Sequence, residues 1–116
     1  MIVRTWHGRT RLSDADAYEL FMTHRAAPDY GSVEGLEQIF FTRRDEDDVS
    51  HFLLITVWTS IEAVKDFAGE NPAVAKYYPE DDEFLLEKEA LSLNHQVFSL
   101  NKKHTISSCK FKPVKC

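Results

Sequence analysis

An arginine and a tryptophan stand two residues apart near the N-terminus, within an apolar stretch at positions 2–8 that predicts a β-strand. Residues i and i+2 of a strand lie on the same face, so Arg4 and Trp6 are expected side by side. A guanidinium next to an indole, covered by a helix, could hold the negative charge of an enolate or a carboxylate. Arg4 could equally pair with an acid on the last strand, such as Glu87 or Glu89. The sequence leaves both alternatives open.

Proton transfer is the second chemistry that the residue types allow, since imidazole titrates near neutral pH. His24 falls on the helical row of Leu20 and Phe21, so it could point into a pocket and act as a general base. It could equally be a partly exposed histidine at a helix end. No histidine has a second ligand at the spacing that a metal site needs, and we predict no metal. The other histidines are His7, His51, His95 and His104.

Aromatic side chains could line a pocket for a small apolar or aromatic ligand. Trp58 ends the most apolar segment of the chain and is a candidate for binding and for catalysis, although an aromatic residue there could also fill the core. Tyr77 could close the mouth of a pocket or pack under the turn at Pro79. The acidic residues at 80–83 are interpreted as a solvated loop. The candidate ligand-binding residues are Trp6, Trp58, Phe67 and Tyr77.

The composition is that of one folded domain. The chain has 116 residues, of which 43% are hydrophobic and 12% aromatic. Residues 1–98 contain all 19 acidic side chains against nine Lys and Arg, a net charge of about −10, which argues against nucleic acid as a partner. No glycine-rich phosphate loop or other cofactor fingerprint is present, so no cofactor is predicted.

Nothing in the sequence predicts a membrane or an exported protein. No apolar run approaches the roughly 20 residues of a membrane-spanning helix, and the N-terminus lacks the layout of a signal peptide. The two cysteines, Cys109 and Cys116, make neither a disulfide framework nor a zinc site, and we expect a cytoplasmic protein. Residues 99–116 hold five lysines and no acid, and are predicted to be a flexible basic tail on a domain at 1–98.

Capping and breaking residues divide the chain into strands and helices. Ser13 and Ser60 stand where helix N-caps are expected. Pro28 and Gly31 should stop the first helix, and Gly69 the second. The element order is β-α-β-β-α-β, which predicts an α+β, ferredoxin-like fold with an antiparallel sheet of order 4-1-3-2 and both helices on one face. Strands are predicted at 2–8, 35–44, 52–58 and 84–98, with a short additional helix at 73–76.

The strand at 52–58 is apolar on both of its faces. Helices on one side of the sheet cover one face only, and the other face would expose a large apolar patch. A second copy packed sheet on sheet would cover about 800 Å² per partner, the size of a standard interface. The sequence therefore predicts a two-fold homodimer formed through the sheet faces, a dimeric α+β barrel.

Several local motifs resemble the antibiotic biosynthesis monooxygenase domain family over residues 2–98. Members of that family are dimeric α+β barrels, so the resemblance implies the same fold as the element order. The matching motifs are Trp6 and Gly8 on the first strand, Trp58-Thr59-Ser60 before the helix that ends at Phe67-Ala68-Gly69, and Tyr78-Pro79-Glu80-Asp81 before Phe84-Leu85-Leu86-Glu87.

The resemblance also implies a chemistry. Well-described members oxidise phenolic polyketides without flavin, metal or haem, because the anion of the substrate itself reduces oxygen in a dry pocket. Trp58 matches the family's tryptophan after the third strand, but the asparagine that partners it has no counterpart here. Haem-degrading members place an axial histidine where this chain has Tyr77 and Tyr78, so haem degradation is not expected.

Two functions of different classes follow. The first is a cofactor-independent monooxygenase that acts on a small aromatic or polyketide-type compound. The second is a non-catalytic dimer that binds a small ligand or takes part in a stress response. A deep pocket with converging polar groups would favour the first, and a solidly packed core would favour the second.

Overall fold

Residues 1–101, which the computed structural model describes, form a four-stranded antiparallel sheet with helices against one face. The strands are β1 (Ile2–Arg11), β2 (Leu36–Glu46), β3 (Val49–Trp58) and β4 (Leu93–Gln96). Their spatial order is β2-β3-β1-β4, which is the predicted order read from the opposite edge. The prediction of an α+β, ferredoxin-like fold is therefore confirmed.

The first helical layer is a continuous path that changes its hydrogen-bond pattern midway. It comprises a 3-10 turn (Leu12–Asp14), helix α1 (Ala15–Phe21), a π-helical segment (Met22–Ala26) and helix α2 (Ala27–Gly31). The predicted stop at Gly31 is confirmed, because α2 ends there. The predicted stop at Pro28 is wrong, because Pro28 occupies the first turn of α2, where its missing N–H is tolerated. The Ala27 N–H donates to the Met22 carbonyl, which is the five-residue step of a π-turn.

Helix α3 (Ile61–Ala68) begins and ends at the predicted residues. The Ser60 hydroxyl accepts a hydrogen bond from the Ala63 N–H at 3.2 Å, and Gly69 ends the helix with a φ of +104°. Ser13, the other predicted N-cap, lies inside the 3-10 turn instead. One of the two predicted N-caps is therefore confirmed and the other is wrong.

The central strand β3 alternates between the two faces of the sheet. Phe52 and Leu54 are buried beneath the helices, whereas Leu53 and Ile55 are more accessible on the opposite face, which we call the open face. The core therefore lies between the helices and the covered face. Its fully enclosed side chains include Tyr18, Trp58 and Val64.

The segment before β4 departs from the sequence prediction. β4 covers four residues instead of the predicted 84–98, and the segment at 73–76 is not helical. Glu87 binds Arg9 and Glu89 binds His7, both on β1. Side-chain contacts of this kind, instead of a continuous ladder of backbone hydrogen bonds, therefore hold the segment against β1. The backbone makes isolated antiparallel bridges there, Leu85 with Thr10 and Leu91 with Val74.

The open face of the sheet carries exposed apolar side chains. Phe40 on β2 is 51% exposed, Leu53 on β3 is 38% exposed and Leu93 on β4 is 58% exposed. Phe40 lies directly opposite Ile55, and Leu93 directly opposite Thr5, so these side chains extend across all four strands. The helices lie on the other side.

The predicted basic tail lies almost wholly outside the described residues, and so do Cys109 and Cys116. Its separation from a domain at 1–98 stays a prediction, as does the cytoplasmic location. None of the helices within residues 1–101 is both long and apolar enough to cross a membrane.

Gly35, at the entry to β2, is expected to tolerate no side chain. Its φ is +93°, and an added Cβ would lie 2.5 Å from the Cβ of Ala63. Gly35→Ala should therefore lower the free energy of unfolding by about 2 kcal/mol or more, measured by urea unfolding. Gly31→Ala is the matched control, because nothing lies within 4 Å of its added Cβ. Equal effects of the two substitutions would contradict this account.

Candidate ligand site

Two neighbouring cavities lie between the first helical layer and the covered face of the sheet. The larger cavity has a volume of about 190 Å³, and the narrow cavity has a volume of about 10 Å³. Met22 and Leu54 line both cavities, so the two lie side by side. The larger cavity is also lined by Phe41, Phe52, Glu19 and Arg43. The narrow cavity is also lined by Trp6, Tyr18, Tyr30, Tyr78, Asp81 and Lys76, and Arg4 lines neither cavity.

The larger cavity has an apolar floor and a charged rim. At the rim, Arg43 donates hydrogen bonds to Asp16 at 2.8 Å and to Glu19 at 2.7 Å, both on α1. It also donates to Asp45 of its own strand at 2.8 Å. These hydrogen bonds, above all that to Asp45, raise the pKa of Arg43. The guanidinium therefore ties α1 to β2 beside the cavity.

A buried carboxylate lines the narrow cavity. Asp81 is 2% exposed, with its Oδ1 accepting a hydrogen bond from the Tyr18 hydroxyl at 2.8 Å and its Oδ2 one from the Tyr78 N–H at 2.7 Å. Burial raises the pKa of Asp81, and the two hydrogen bonds act in the opposite direction. The predicted solvated loop at 80–83 is wrong for this residue, because Asp81 caps the 3-10 turn Pro79–Glu83 from inside.

Three tyrosines at the narrow cavity stay protonated well above neutral pH. Burial raises the pKa of Tyr30 to about 12. Burial and the neighbouring Asp81 carboxylate raise the pKa of Tyr18. Burial and a hydrogen bond to Asp29 raise the pKa of Tyr78. Each tyrosine therefore offers a neutral phenol that brings no negative charge into the cleft.

Arg4 is a buried cation without an anionic partner among residues 1–101. It is 1% exposed, and its Nη2 donates to the Val74 carbonyl at 3.0 Å. Within residues 1–101, no carboxylate forms an ion pair with it and its Nε has no hydrogen-bond partner. Burial lowers the pKa of Arg4. A ligand that carries negative charge would compensate for this burial.

The acids that were predicted as alternatives for Arg4 are engaged on the open face. Glu87 accepts hydrogen bonds from Arg9 at 2.7 and 2.5 Å, and Glu89 pairs with His7. His7 and Arg9 alternate with the buried residues of β1 and so lie on the other face of the strand from Arg4. The predicted ion pair is therefore wrong.

Trp6 presents a second unsatisfied donor on the covered face of β1. It is 5% exposed, and its Nε1–H has no acceptor among residues 1–101. The strand was predicted to end at Gly8, yet it continues to Arg11 and Gly8 makes room for the indole. A Cβ on Gly8 would lie only 2.6 Å from the Trp6 ring. Tyr77 packs edge-on against the same ring, with centroids 5.8 Å apart, so the indole is held on two sides.

The other predicted site residues lie outside this cluster. Trp58 is 0% exposed, packs against Phe67 with ring centroids 5.6 Å apart, and donates its Nε1–H to Thr56 Oγ1 at 2.7 Å. His24 is exposed on the π-helical segment and lines neither cavity. The structure thus groups Trp6 with Tyr77, and Trp58 with Phe67, and leaves His24 apart.

A chain of four ionisable side chains crosses the open face. His7 Nδ1 is hydrogen-bonded to Glu89, His7 Nε2 lies 3.0 Å from His51 Nδ1, and His51 Nε2 lies 3.2 Å from Glu46 Oε1. This contact could not be predicted from local spacing, because the two histidines are 44 residues apart. Within residues 1–101, no group of three or more His, Cys, Asp or Glu is placed to hold a metal ion.

Two solved structures share the architecture of this chain. One is a mutant of MhuD with two manganese protoporphyrin IX molecules bound per active site; it is 17% identical, with a TM-score of 0.61 over 89% of this chain and 100% of that chain. The other is a Bacillus cereus protein assigned to the antibiotic biosynthesis monooxygenases; it is 13% identical, with a TM-score of 0.58 over 90% of this chain and 98% of that chain. No protein-family model and no curated protein matches the chain.

At these identities the two likenesses establish the fold. The chain has the α+β fold of the antibiotic biosynthesis monooxygenase domain, as the resemblance of its motifs implied. Fold alone does not fix a chemistry, since one fold serves many functions, so the function has to be argued from the cleft.

We expect the buried Asp81 carboxyl to destabilise the fold as the pH rises. A carboxyl with a raised pKa in the folded chain favours folding below its unfolded pKa, about 4 for aspartate, and loses that contribution as the pH passes the folded value. Asp81→Asn cannot ionise, so it should gain stability relative to the wild type as the pH rises above about 4. Urea unfolding at several pH values measures the difference, with the exposed Asp82→Asn as control. If Asp81→Asn instead lost stability relative to the wild type as the pH rises, the pKa of Asp81 would be lowered in the folded chain.

Proposed function

We propose that this protein is a cofactor-independent, monooxygenase-like enzyme that acts on the anion of a small aromatic or polyketide-type compound. The observation that carries the proposal is Arg4, a buried cation that no carboxylate of residues 1–101 neutralises. A buried charge without a partner costs several kcal/mol, roughly 3 to 5, and a bound phenolate or enolate would supply that partner. Oxygen reacts with such an anion and not with the neutral phenol, so holding the anion is the main task of the site.

The size of the larger cavity supports a small aromatic compound. Its volume of about 190 Å³ is close to that of a cavity of about 150 Å³ that holds benzene. The floor is apolar and would exclude water from a bound ring. A fused ring system would require the wall formed by the π-helical segment to move outward.

The residues of the cleft do not fit a porphyrin iron. Among residues 1–101, no histidine lines either cavity. A tyrosine binds haem iron as its phenolate, and the raised pKa values of Tyr18, Tyr30 and Tyr78 oppose that form. We therefore derive no step through haem.

A non-catalytic ligand-binding protein is the second candidate function. Trp58, which matches the family's tryptophan, is fully enclosed and uses its only donor on Thr56. It is therefore not free to contact a substrate, which favours binding without chemistry. Oxygen consumption separates the two candidates.

We expect purified protein to consume oxygen when incubated in air with single-ring phenols, with no flavin or metal added; naphthols and hydroxyanthrones extend the panel to fused rings. Arg4→Met should lower turnover by about 100-fold, because the charge that stabilises the reacting anion is lost. The free energy of unfolding should stay unchanged or rise, since a buried unpaired cation is removed. Arg9→Met, on the open face, is the control and should keep its turnover. Oxygen uptake that survives in Arg4→Met would contradict the proposal, and no uptake with any compound would favour the ligand-binding protein.

We also propose that two copies pack through their open faces. This proposal rests on Phe40, Leu53 and Leu93, apolar side chains left exposed along one side of the sheet. Exposed apolar surface of this kind is removed from water most simply by an identical surface in a two-fold dimer. The covered face cannot serve, because the helices already occupy it.

The expected mass in sedimentation or light scattering is about twice the 13.4 kDa of the chain. Phe40→Asp should convert this species to a monomer, because each copy would bury an unpaired charge at a cost of about 3 kcal/mol or more. Leu20→Asp is the matched control, since Leu20 is similarly exposed, at 59%, but lies on α1. A wild-type monomer at micromolar concentration, or equal effects of the two substitutions, would refute the dimer.

A further inference from the structure

We propose that Asp81 and Trp6 together bind an ionisable hydroxyl group of the substrate, and that Asp81 is the general base that removes its proton. This inference rests on the proposed function and assigns a base that the sequence did not suggest. The two side chains line the same narrow cavity. The ionised Asp81 carboxylate offers only hydrogen-bond acceptors, and the Trp6 indole offers only a donor. A hydroxyl group both donates and accepts a hydrogen bond, so it can use both partners.

The Asp81 carboxylate has unused capacity to accept hydrogen bonds. Each of its oxygens has two lone-pair sites, and the Tyr18 hydroxyl and the Tyr78 N–H occupy one on each oxygen. These two donors also fix the plane of the carboxylate, so the remaining sites are held in place. A hydroxyl proton that points at Asp81 would meet an oriented, dehydrated acceptor.

The Trp6 Nε1–H is a buried donor that requires an acceptor. Within residues 1–101 it has none, and leaving such a buried group unpaired is unfavourable. Gly8 and Tyr77 hold the indole ring on two sides, so it cannot easily turn to find another acceptor. A substrate oxygen beside Trp6 would satisfy it.

The cavity volumes match a ring that carries one hydroxyl group. The narrow cavity, at about 10 Å³, has room for about one water-sized group. The larger cavity of about 190 Å³ lies against it and takes a single ring. The substrate class is therefore a phenol, or an enol of similar size, with its hydroxyl in the narrow cavity.

The proton step can be written in full. The substrate O–H bond breaks, its proton passes to an Asp81 carboxylate oxygen, and the electron pair stays on the substrate oxygen. That oxygen then accepts the Trp6 Nε1–H hydrogen bond, and the positive charge of Arg4, two residues earlier on the same face, favours the anion. Burial raises the pKa of Asp81, which brings the base closer to the acidity of a phenol and makes it more effective.

The test compares two ring-sized probes on the full chain, 4-nitrophenol and nitrobenzene, by calorimetric titration. The hydroxyl should make 4-nitrophenol bind at least about tenfold more tightly to the wild type. Asp81→Asn should weaken the binding of 4-nitrophenol by about 10- to 100-fold and leave the binding of nitrobenzene unchanged. Trp6→Phe should also weaken the binding of 4-nitrophenol, by a smaller factor, and leave the binding of nitrobenzene unchanged. This second variant tests the site if Asp81→Asn fails to fold. Asp82→Asn, an exposed neighbour, should change neither affinity.

The proposal is overturned if the wild type binds the two probes equally or binds neither. It is also overturned if Asp81→Asn weakens both probes alike, since that result would mean a purely structural role. If 4-nitrophenol binds more tightly than nitrobenzene but no oxygen is consumed, the proposed enzyme is refuted and the proposed hydroxyl-binding site is supported. If oxygen is consumed but the two probes bind equally, the proposed enzyme is supported and Asp81 is refuted as its base.

Discussion

The buried hydrogen bond between the Tyr18 hydroxyl and the Asp81 carboxylate holds the cleft in shape. Tyr18 belongs to α1 and Asp81 to the turn Pro79–Glu83, so one contact joins segments 63 residues apart. A buried carboxylate destabilises a fold unless its hydrogen bonds are made, and here both oxygens accept one. Tyr18 also packs against Phe52 of the sheet, with ring centroids 4.9 Å apart. Helix, turn and sheet therefore meet at a single side chain.

Two buried side chains beneath the helices carry opposite charges that do not neutralise each other. Arg4 and Asp81 are both buried, and no ion pair joins them within residues 1–101. Replacing buried charges by apolar residues of similar size is often neutral or stabilising, so folding alone does not require them. Perturbed ionisable groups gather at functional sites because binding and catalysis do require them. The two buried charges therefore mark this region as the candidate functional site.

The signals that predicted the fold are local, and the features that escaped prediction are not. The Ser60 cap, the Gly69 end and the alternation of β3 each depend on residues within a few positions, which a single sequence displays. The last strand was overestimated because Glu87 and Glu89 bind side chains on β1, and nothing near these acids in the sequence shows those partners. Asp81 was hidden in an acidic run that resembles a solvated loop. The proline that opens its turn and the aromatic residues on either side were the signals available, but only the folded chain shows that the turn points inward.

The histidine pair on the open face joins parts of the chain that are far apart in sequence. Glu89 contacts His7 of β1, His7 contacts His51 of β3, and His51 contacts Glu46 of β2. These side-chain contacts run across the sheet in the same direction as the backbone hydrogen bonds between the strands. Loss of either imidazole would therefore separate the segment before β4 from β2 on this face of the sheet.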